Sequence, residues 1–236
     1  MSEILYPFGP TIYKGVMSDE LQKFLVKSAD LSRRKGKSMN DKLAGNIKDQ
    51  IEGSFNVKKF SRLMRSHMVS YVEHSYTRLN YYSLDKDPIL ETIDFDQVEF
   101  DFGERTPWFN FMKRTEFNPL HNHSGFISAV LMIDVPEVIE EENQNVTDNN
   151  MPCKGQIEWV FQNEGGISFC GSYKAIPKTG DIYLFPADLK HQVYPFYSDV
   201  ERVTMSFNIY ELRHRDKYQR GIPTDKKMSN YVSNVK

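Results

Sequence analysis

The stretch Arg202-Val203-Thr204-Met205-Ser206-Phe207-Asn208-Ile209 alternates polar and apolar side chains without a break. On an extended chain successive side chains point to opposite faces, so Val203, Met205, Phe207 and Ile209 form one apolar face and Arg202, Thr204, Ser206 and Asn208 share the other. The period predicts a strand, and the apolar face predicts a layer that covers it. Four polar groups turned into a packed interior would cost about 1–3 kcal/mol for each one left unpaired. The polar row therefore reads as the wall of a ligand pocket, the alternative being a sheet face open to solvent. Arg202 follows His191 by eleven positions, enough for a turn and a return strand. Its planar fork suits a carboxylate held by two hydrogen bonds.

Working outward, the period of two recurs from about residue 95, with candidate strands at 95–102, 107–113, 126–133, 156–161, 167–170, 180–185, 191–196 and 201–210. Gly165-Gly166 suggests a hairpin turn, and Pro177 to Gly180 leads into another strand. Upstream the period is helical. Ser18 before Asp19 and Glu20 reads as an N-cap, with Leu21, Phe24 and Leu25 as the apolar face of a short helix ending between Ser32 and Asn40. Phe60, Leu63, Met64, His67, Met68, Tyr71, Val72 and Tyr76 make one stripe of a long amphipathic helix, whose other face carries Lys58, Lys59, Arg62, Arg65 and Glu73. Helices followed by about eight short strands predict a mainly β fold with N-terminal helices: a double-stranded β-helix (jelly roll) with the long helix packed on one sheet. The expected division is a single domain over 1–236, with a helical N-terminal part at 1–90, a jelly-roll core at 91–210 and a C-terminal tail at 211–236. Glu137 to Asn150 is acidic and aperiodic and reads as an exposed inserted loop.

Composition agrees. An apolar content of 39% with 26% charged residues excludes a disordered or fibrous chain, and 16 Phe, 13 Tyr and 2 Trp suit a β-rich core. Two cysteines, Cys153 and Cys170, are too few for a disulfide framework, and the first ten residues lack the basic start and apolar run of a signal peptide. A cytoplasmic protein is expected. No window approaches the roughly 20 apolar residues of a membrane span. Charge is uneven: +6 over residues 1–80, −12 over 81–210 and +4 over 211–236. Basic ends could meet nucleic acid, but such runs are more often solvated helix faces and tails.

Of the six histidines, His67 lies in the apolar helix stripe and reads as structural, while His74 and His214 have no ligand partner at useful spacing. His121 and His123 differ, because residues i and i+2 of an extended chain project to one side. His191 opens a later strand. Three imidazoles on one octahedral iron would leave positions for a cosubstrate and oxygen, as non-haem Fe(II) chemistry requires. The His-x-His pair alone is common by chance.

The blocks Trp108-Phe109-Asn110, Asn118 to Gly125 with His121 and His123, Gly180 to Pro186, Leu189-Lys190-His191 and Glu201 to Asn208 together resemble the Fe(II)/2-oxoglutarate-dependent dioxygenases. Within that superfamily the chain is similar to phage-encoded members related to prolyl hydroxylases, with a weaker match at Phe8-Gly9-Pro10 and Leu43-Ala44-Gly45. The resemblance implies a double-stranded β-helix, metal ligands at His121 and His191, and Arg202 with Thr204 as the anchor for the distal carboxylate of 2-oxoglutarate. His123 stands where the wider superfamily has a carboxylate. Either three neutral histidines hold the iron or a carboxylate from elsewhere completes the set, the first being simpler. Asn110 and Asn208 are candidates for hydrogen bonds to cosubstrate or substrate, and equally for satisfying neighbouring backbone groups.

The expected protein is thus an oxygenase using Fe(II), O2 and 2-oxoglutarate to hydroxylate an unknown substrate, located in the cytoplasm, or in the host cytoplasm if phage-encoded. Two rivals stand beside it: a three-histidine dioxygenase of cupin type that does not use 2-oxoglutarate, and a catalytically silent binding or virion-associated module that keeps the fold.

Overall fold

The structure, a computed structural model, describes residues 9–82, 94–103, 106–144, 152–161 and 171–214. Ser18 caps helix α1 (Asp19–Lys35), its hydroxyl accepting from the Leu21 N–H at 3.2 Å, and Arg33, Arg34 and Lys35 sit at the negative end of the helix dipole. The long stripe forms α2 (Val57–Tyr82).

A six-stranded antiparallel sheet has the order β1 (Tyr13–Val16), β9 (Asp181–Pro186), β6 (Ile127–Asp134), β11 (Glu201–Ile209), β4 (Trp108–Lys113), β2 (Asp49–Glu52). Opposite it lies a four-stranded sheet, β5 (Asn118–His121), β10 (Lys190–Val193), β7 (Ile157–Val160), β8 (Ser172–Ala175). A short pair joins β12 (Glu211–His214) to β3 (Val98–Asp101).

Two cores flank the large sheet, as the alternation along β11 requires. Met205, Phe207 and Ile209 join Phe60, Met64 and Met68 of α2 in the first core, and the rings of Phe60 and Phe207 meet edge-on at 5.3 Å. Each such fully buried side chain contributes about 1.5–3 kcal/mol by leaving water. The second core lies between the sheets, where Met112 and Met132 of the large sheet meet Ile157 and Trp159 of the small one. Arg202, Thr204 and Ser206 point to this side and line a pocket there. The chain is therefore a double-stranded β-helix with helices on the outside of one sheet.

Several segments differ from the sequence reading. The N-terminal part is not helical throughout, because β1 and β2 form the two edges of the large sheet. The proposed loop at Glu137 to Asn150 contains a short helix, α3 (Val138–Gln144), seven residues long and too short to display a period. It is held by Ile139, fully buried in the inter-sheet core, and by Asn143, which donates to the carbonyls of Ile139 and Lys154 and accepts from Gln156. The expected tail begins with β12, which extends the alternation of β11 past Tyr210. Strand β5 was concealed by Pro119; it lies at the edge of the small sheet, where a missing N–H is tolerated. The candidate strand at 167–170, the Gly165-Gly166 turn, Cys170 and residues 215–236 lie outside the described residues.

Candidate metal and cosubstrate centre

His121 and His191 are direct register partners across β5 and β10, and His123 follows two residues beyond His121, its backbone N–H donating to the Ala187 carbonyl at 2.8 Å. Pairing and spacing together bring the rings to centroid separations of 4.3 Å for His121 and His191, 4.8 Å for His121 and His123, and 5.0 Å for His123 and His191. One nitrogen from each ring lies within 4.8 Å of the others. Among the described residues no carboxylate joins this group.

Carbonyl oxygens set the tautomers. His121 Nδ1 lies 2.6 Å from the Pro119 carbonyl and His191 Nδ1 3.0 Å from that of Leu189. A carbonyl only accepts, so Nδ1 carries the hydrogen in both rings and Nε2 keeps its lone pair, the arrangement that orients a metal-binding imidazole. Burial pushes His191 down to about 3, aided by the rings of His121 and His123 and opposed by the bond to Leu189. Burial also lowers His121, against the bond to Pro119. Both are held in the neutral form that ligates a metal. Nitrogen donors of this kind, with lone pairs converging, fit Fe(II).

On the facing sheet Arg202 is only 3% exposed. Its Nη1 donates to the Gly155 carbonyl at 2.7 Å and its Nη2 to the Met112 sulfur at 2.8 Å, while Nε has no partner. No acidic side chain pairs with it among the described residues, and burial alone lowers it to about 10, so it stays a cation at neutral pH. Thr204 lies two residues along on the same face. Asn110, its register partner on β4, donates to the Thr204 hydroxyl at 3.2 Å and to that of Ser206 at 3.3 Å.

The histidines, Arg202, Thr204 and Asn110 thus line one pocket. Asn208 does not; its Oδ1 accepts from the Ser128 hydroxyl at 2.7 Å, tying β11 to β6. Gln50, also in the pocket lining, went unrecognised in the sequence, since its amide gains meaning only when β2 pairs with β4. Trp108 packs beside His123 with centroids 5.8 Å apart, and Asn118 lies next to His121; both stand in the blocks that carry the resemblance. His67 has a structural setting, with Nδ1 2.8 Å from the Tyr13 hydroxyl.

Residues 106–208 match the family described as "Putative 2OG-Fe(II) oxygenase". No curated protein matches the chain. Among solved structures the chain is similar to a Pseudomonas putida prolyl-4-hydroxylase, at 12% identity over 84% of this chain and 91% of that one, with a TM-score of 0.46. A Trichoplax adhaerens prolyl hydroxylase in complex with a hypoxia inducible factor peptide fragment is similar at 12% identity, over 86% and 83% of the two chains, TM-score 0.46. HygX from Streptomyces hygroscopicus, with nickel, 2-oxoglutarate and hygromycin B bound, is similar at 10% identity over 84% and 81%, TM-score 0.43. The stretch matched by that family, residues 106–208, carries the three histidines and Arg202.

Proposed function

We propose that this protein is an Fe(II)- and 2-oxoglutarate-dependent dioxygenase that hydroxylates its substrate with release of succinate and CO2. In this reading His121, His123 and His191 hold the iron through nitrogen, and Arg202 with Thr204 holds the distal carboxylate of 2-oxoglutarate. The observation that carries it is the buried Arg202 cation, which faces the pocket with no acidic partner among the described residues. A buried charge is strongly disfavoured unless an opposite charge reaches it, and a dicarboxylate entering the pocket supplies one. When bound, iron, O2 and 2-oxoglutarate supply the oxidising power: decarboxylation to succinate takes one oxygen atom and the substrate C–H bond receives the other.

The chain's own residues prepare the site. The carbonyls of Pro119 and Leu189 keep Nε2 of His121 and His191 free to ligate. Trp108, Met112 and Phe185, all buried, narrow the pocket and exclude water from it. Asn110 supports Thr204 from behind, and Asn208 serves the strand pairing. We assign the chain to one domain acting in the cytoplasm; no helix among the described residues is long and apolar enough to cross a membrane.

An all-histidine ligand set also suits a cupin-type dioxygenase that dispenses with 2-oxoglutarate, whereas the unpartnered Arg202 favours the dicarboxylate. Anaerobic titration with Fe(II) and then 2-oxoglutarate, followed by the visible charge-transfer band, decides between them. A band that appears with 2-oxoglutarate and is lost in Arg202→Ala supports the proposal. Iron binding with no response to 2-oxoglutarate would favour the cupin reading, and failure to bind iron would favour a silent module.

A further inference from the structure

Gln50, Asn110 and Thr204 occupy directly opposite register positions on β2, β4 and β11, so their side chains form one row across three neighbouring strands. Gln50 Nε2 donates to Asn110 Oδ1 at 2.9 Å, and Asn110 Nδ2 donates to the hydroxyls of Thr204 and Ser206 at 3.2 and 3.3 Å. All three members of the row are buried, Gln50 being 1% exposed. At the far end Gln50 Oε1 is buried without a hydrogen-bond partner.

A row of primary amides has a direction. Each carries donors on nitrogen and acceptors on oxygen, and neighbours must match, so only two arrangements are self-consistent. In the one observed, the Thr204 hydroxyl has accepted a bond from Asn110 and its single hydrogen remains to be donated into the pocket. In the reverse arrangement Asn110 Oδ1 faces the two hydroxyls, which spend their hydrogens on it and turn lone pairs toward the pocket. A carboxylate accepts only, so it is held by the first arrangement and repelled by the second. The orphaned acceptor at Gln50 Oε1 is what the first arrangement leaves at its far end.

We propose that Gln50 and Asn110 are positioning residues that fix the direction of the Thr204 hydroxyl, so that it donates to the distal carboxylate of 2-oxoglutarate. The inference rests on the proposed assignment of Arg202 and Thr204 to that carboxylate. Gln50 itself touches neither the metal ligands nor Arg202 through any hydrogen bond among the described residues. Its influence passes through Asn110.

The test is a double-mutant cycle on the intact protein loaded anaerobically with Fe(II), titrated with 2-oxoglutarate and with pyruvate, a 2-oxo acid that lacks the distal carboxylate. Gln50→Met keeps the volume and removes the donor. It should weaken 2-oxoglutarate binding about fivefold, the worth of one hydrogen bond, and leave pyruvate and iron binding unchanged. In a Thr204→Val background, where the directed hydroxyl is gone, Gln50→Met should have no further effect. Asn110→Leu is measured in the same way and serves if Gln50→Met folds poorly. Equal losses for both ligands, or a full loss that persists beside Thr204→Val, would overturn the relay. Parent and Arg202→Ala are the controls that separate the two levels. If Arg202→Ala loses 2-oxoglutarate binding while Gln50→Met matches the parent, the relay alone falls; if the parent fails to bind, or Arg202→Ala binds as the parent does, the assignment beneath it falls.

Discussion

His121 and His191 face each other as register partners across β5 and β10, and each ring is locked by a backbone carbonyl two residues earlier in its own chain segment. The same local geometry, Nδ1 of residue i against the carbonyl of residue i−2, is thus repeated on two neighbouring strands. It aims two Nε2 lone pairs at a common space before any metal arrives.

That preorganisation predicts unequal consequences of substitution. His121→Ala and His191→Ala should each abolish retention of Fe(II), because each removes one of the two nitrogens that a backbone carbonyl holds aimed at the common space. His123 stands after the strand, and His123→Asp exchanges a nitrogen donor for a carboxylate oxygen donor, so it should keep iron while His123→Ala weakens it. Metal content after anaerobic reconstitution and desalting checks all four variants. Equal iron in parent and His123→Ala would place the third ligand elsewhere.

Arg202 predicts a conflict between stability and function. A guanidinium that is buried and has no acidic partner among the described residues costs folding free energy, and an apolar side chain of similar length removes that cost. Arg202→Met should therefore raise the melting temperature of the ligand-free protein. Saturating 2-oxoglutarate should raise the melting temperature of the parent by mass action and leave Arg202→Met unmoved. Thermal denaturation with and without the ligand measures both effects, and a lower melting temperature in ligand-free Arg202→Met would contradict the first.

Much of this site was legible in the sequence because it rests on strand alternation. Arg202, Thr204 and Ser206 of β11 reach the pocket and Met205, Phe207 and Ile209 join the core under α2, as the period of two requires, and His121 with His123 share a side for the same reason. The rest depended on pairing between distant segments. Gln50 lies in a four-residue strand, and nothing local reveals that it will stand opposite Asn110. Gly155 and Met112 receive the Arg202 fork only after the sheets close, and α3 is secured by Ile139 entering a core assembled from other strands. The extended run through Pro119 was hidden by a residue that excludes interior strands but not edges.

A pH effect follows from the contact between β1 and α2. The Tyr13 hydroxyl and His67 Nδ1 share a hydrogen bond of 2.8 Å. Burial lowers His67 from its ordinary value of 6.5 and raises Tyr13 from 10.0. Below 6.5 the unfolded chain takes up a proton that the folded state resists, so this contribution to stability is lost as pH falls through the window beneath 6.5. Above 10.0 the unfolded chain releases the tyrosine proton more readily, and the Tyr13 contribution is lost as pH rises. Urea unfolding between mildly acidic and neutral buffer should show a shallower dependence in His67→Gln than in the parent. Parallel curves would remove His67 from the account.

A backbone constraint bears on Arg202, the proposed cosubstrate anchor. Gly155 has φ +66°, in the left-handed region that favours glycine, and a Cβ there would clash with Cγ2 of the fully buried Ile139. Its carbonyl is the acceptor that holds Nη1 of Arg202. Gly155→Ala must therefore strain the backbone and displace either α3 or the turn, at a cost of about 1–3 kcal/mol. Because the same turn carries the Arg202 acceptor, the substitution should also weaken 2-oxoglutarate binding, although residue 155 does not line the pocket. Ile139→Ala in the Gly155→Ala background removes the steric conflict but opens a cavity. The double variant should recover 2-oxoglutarate affinity toward the parent value while remaining less stable than the parent. Urea unfolding and anaerobic 2-oxoglutarate titration on the parent, both single variants and the double variant separate the two effects. Undiminished affinity in Gly155→Ala would show that Arg202 does not depend on this carbonyl for its position.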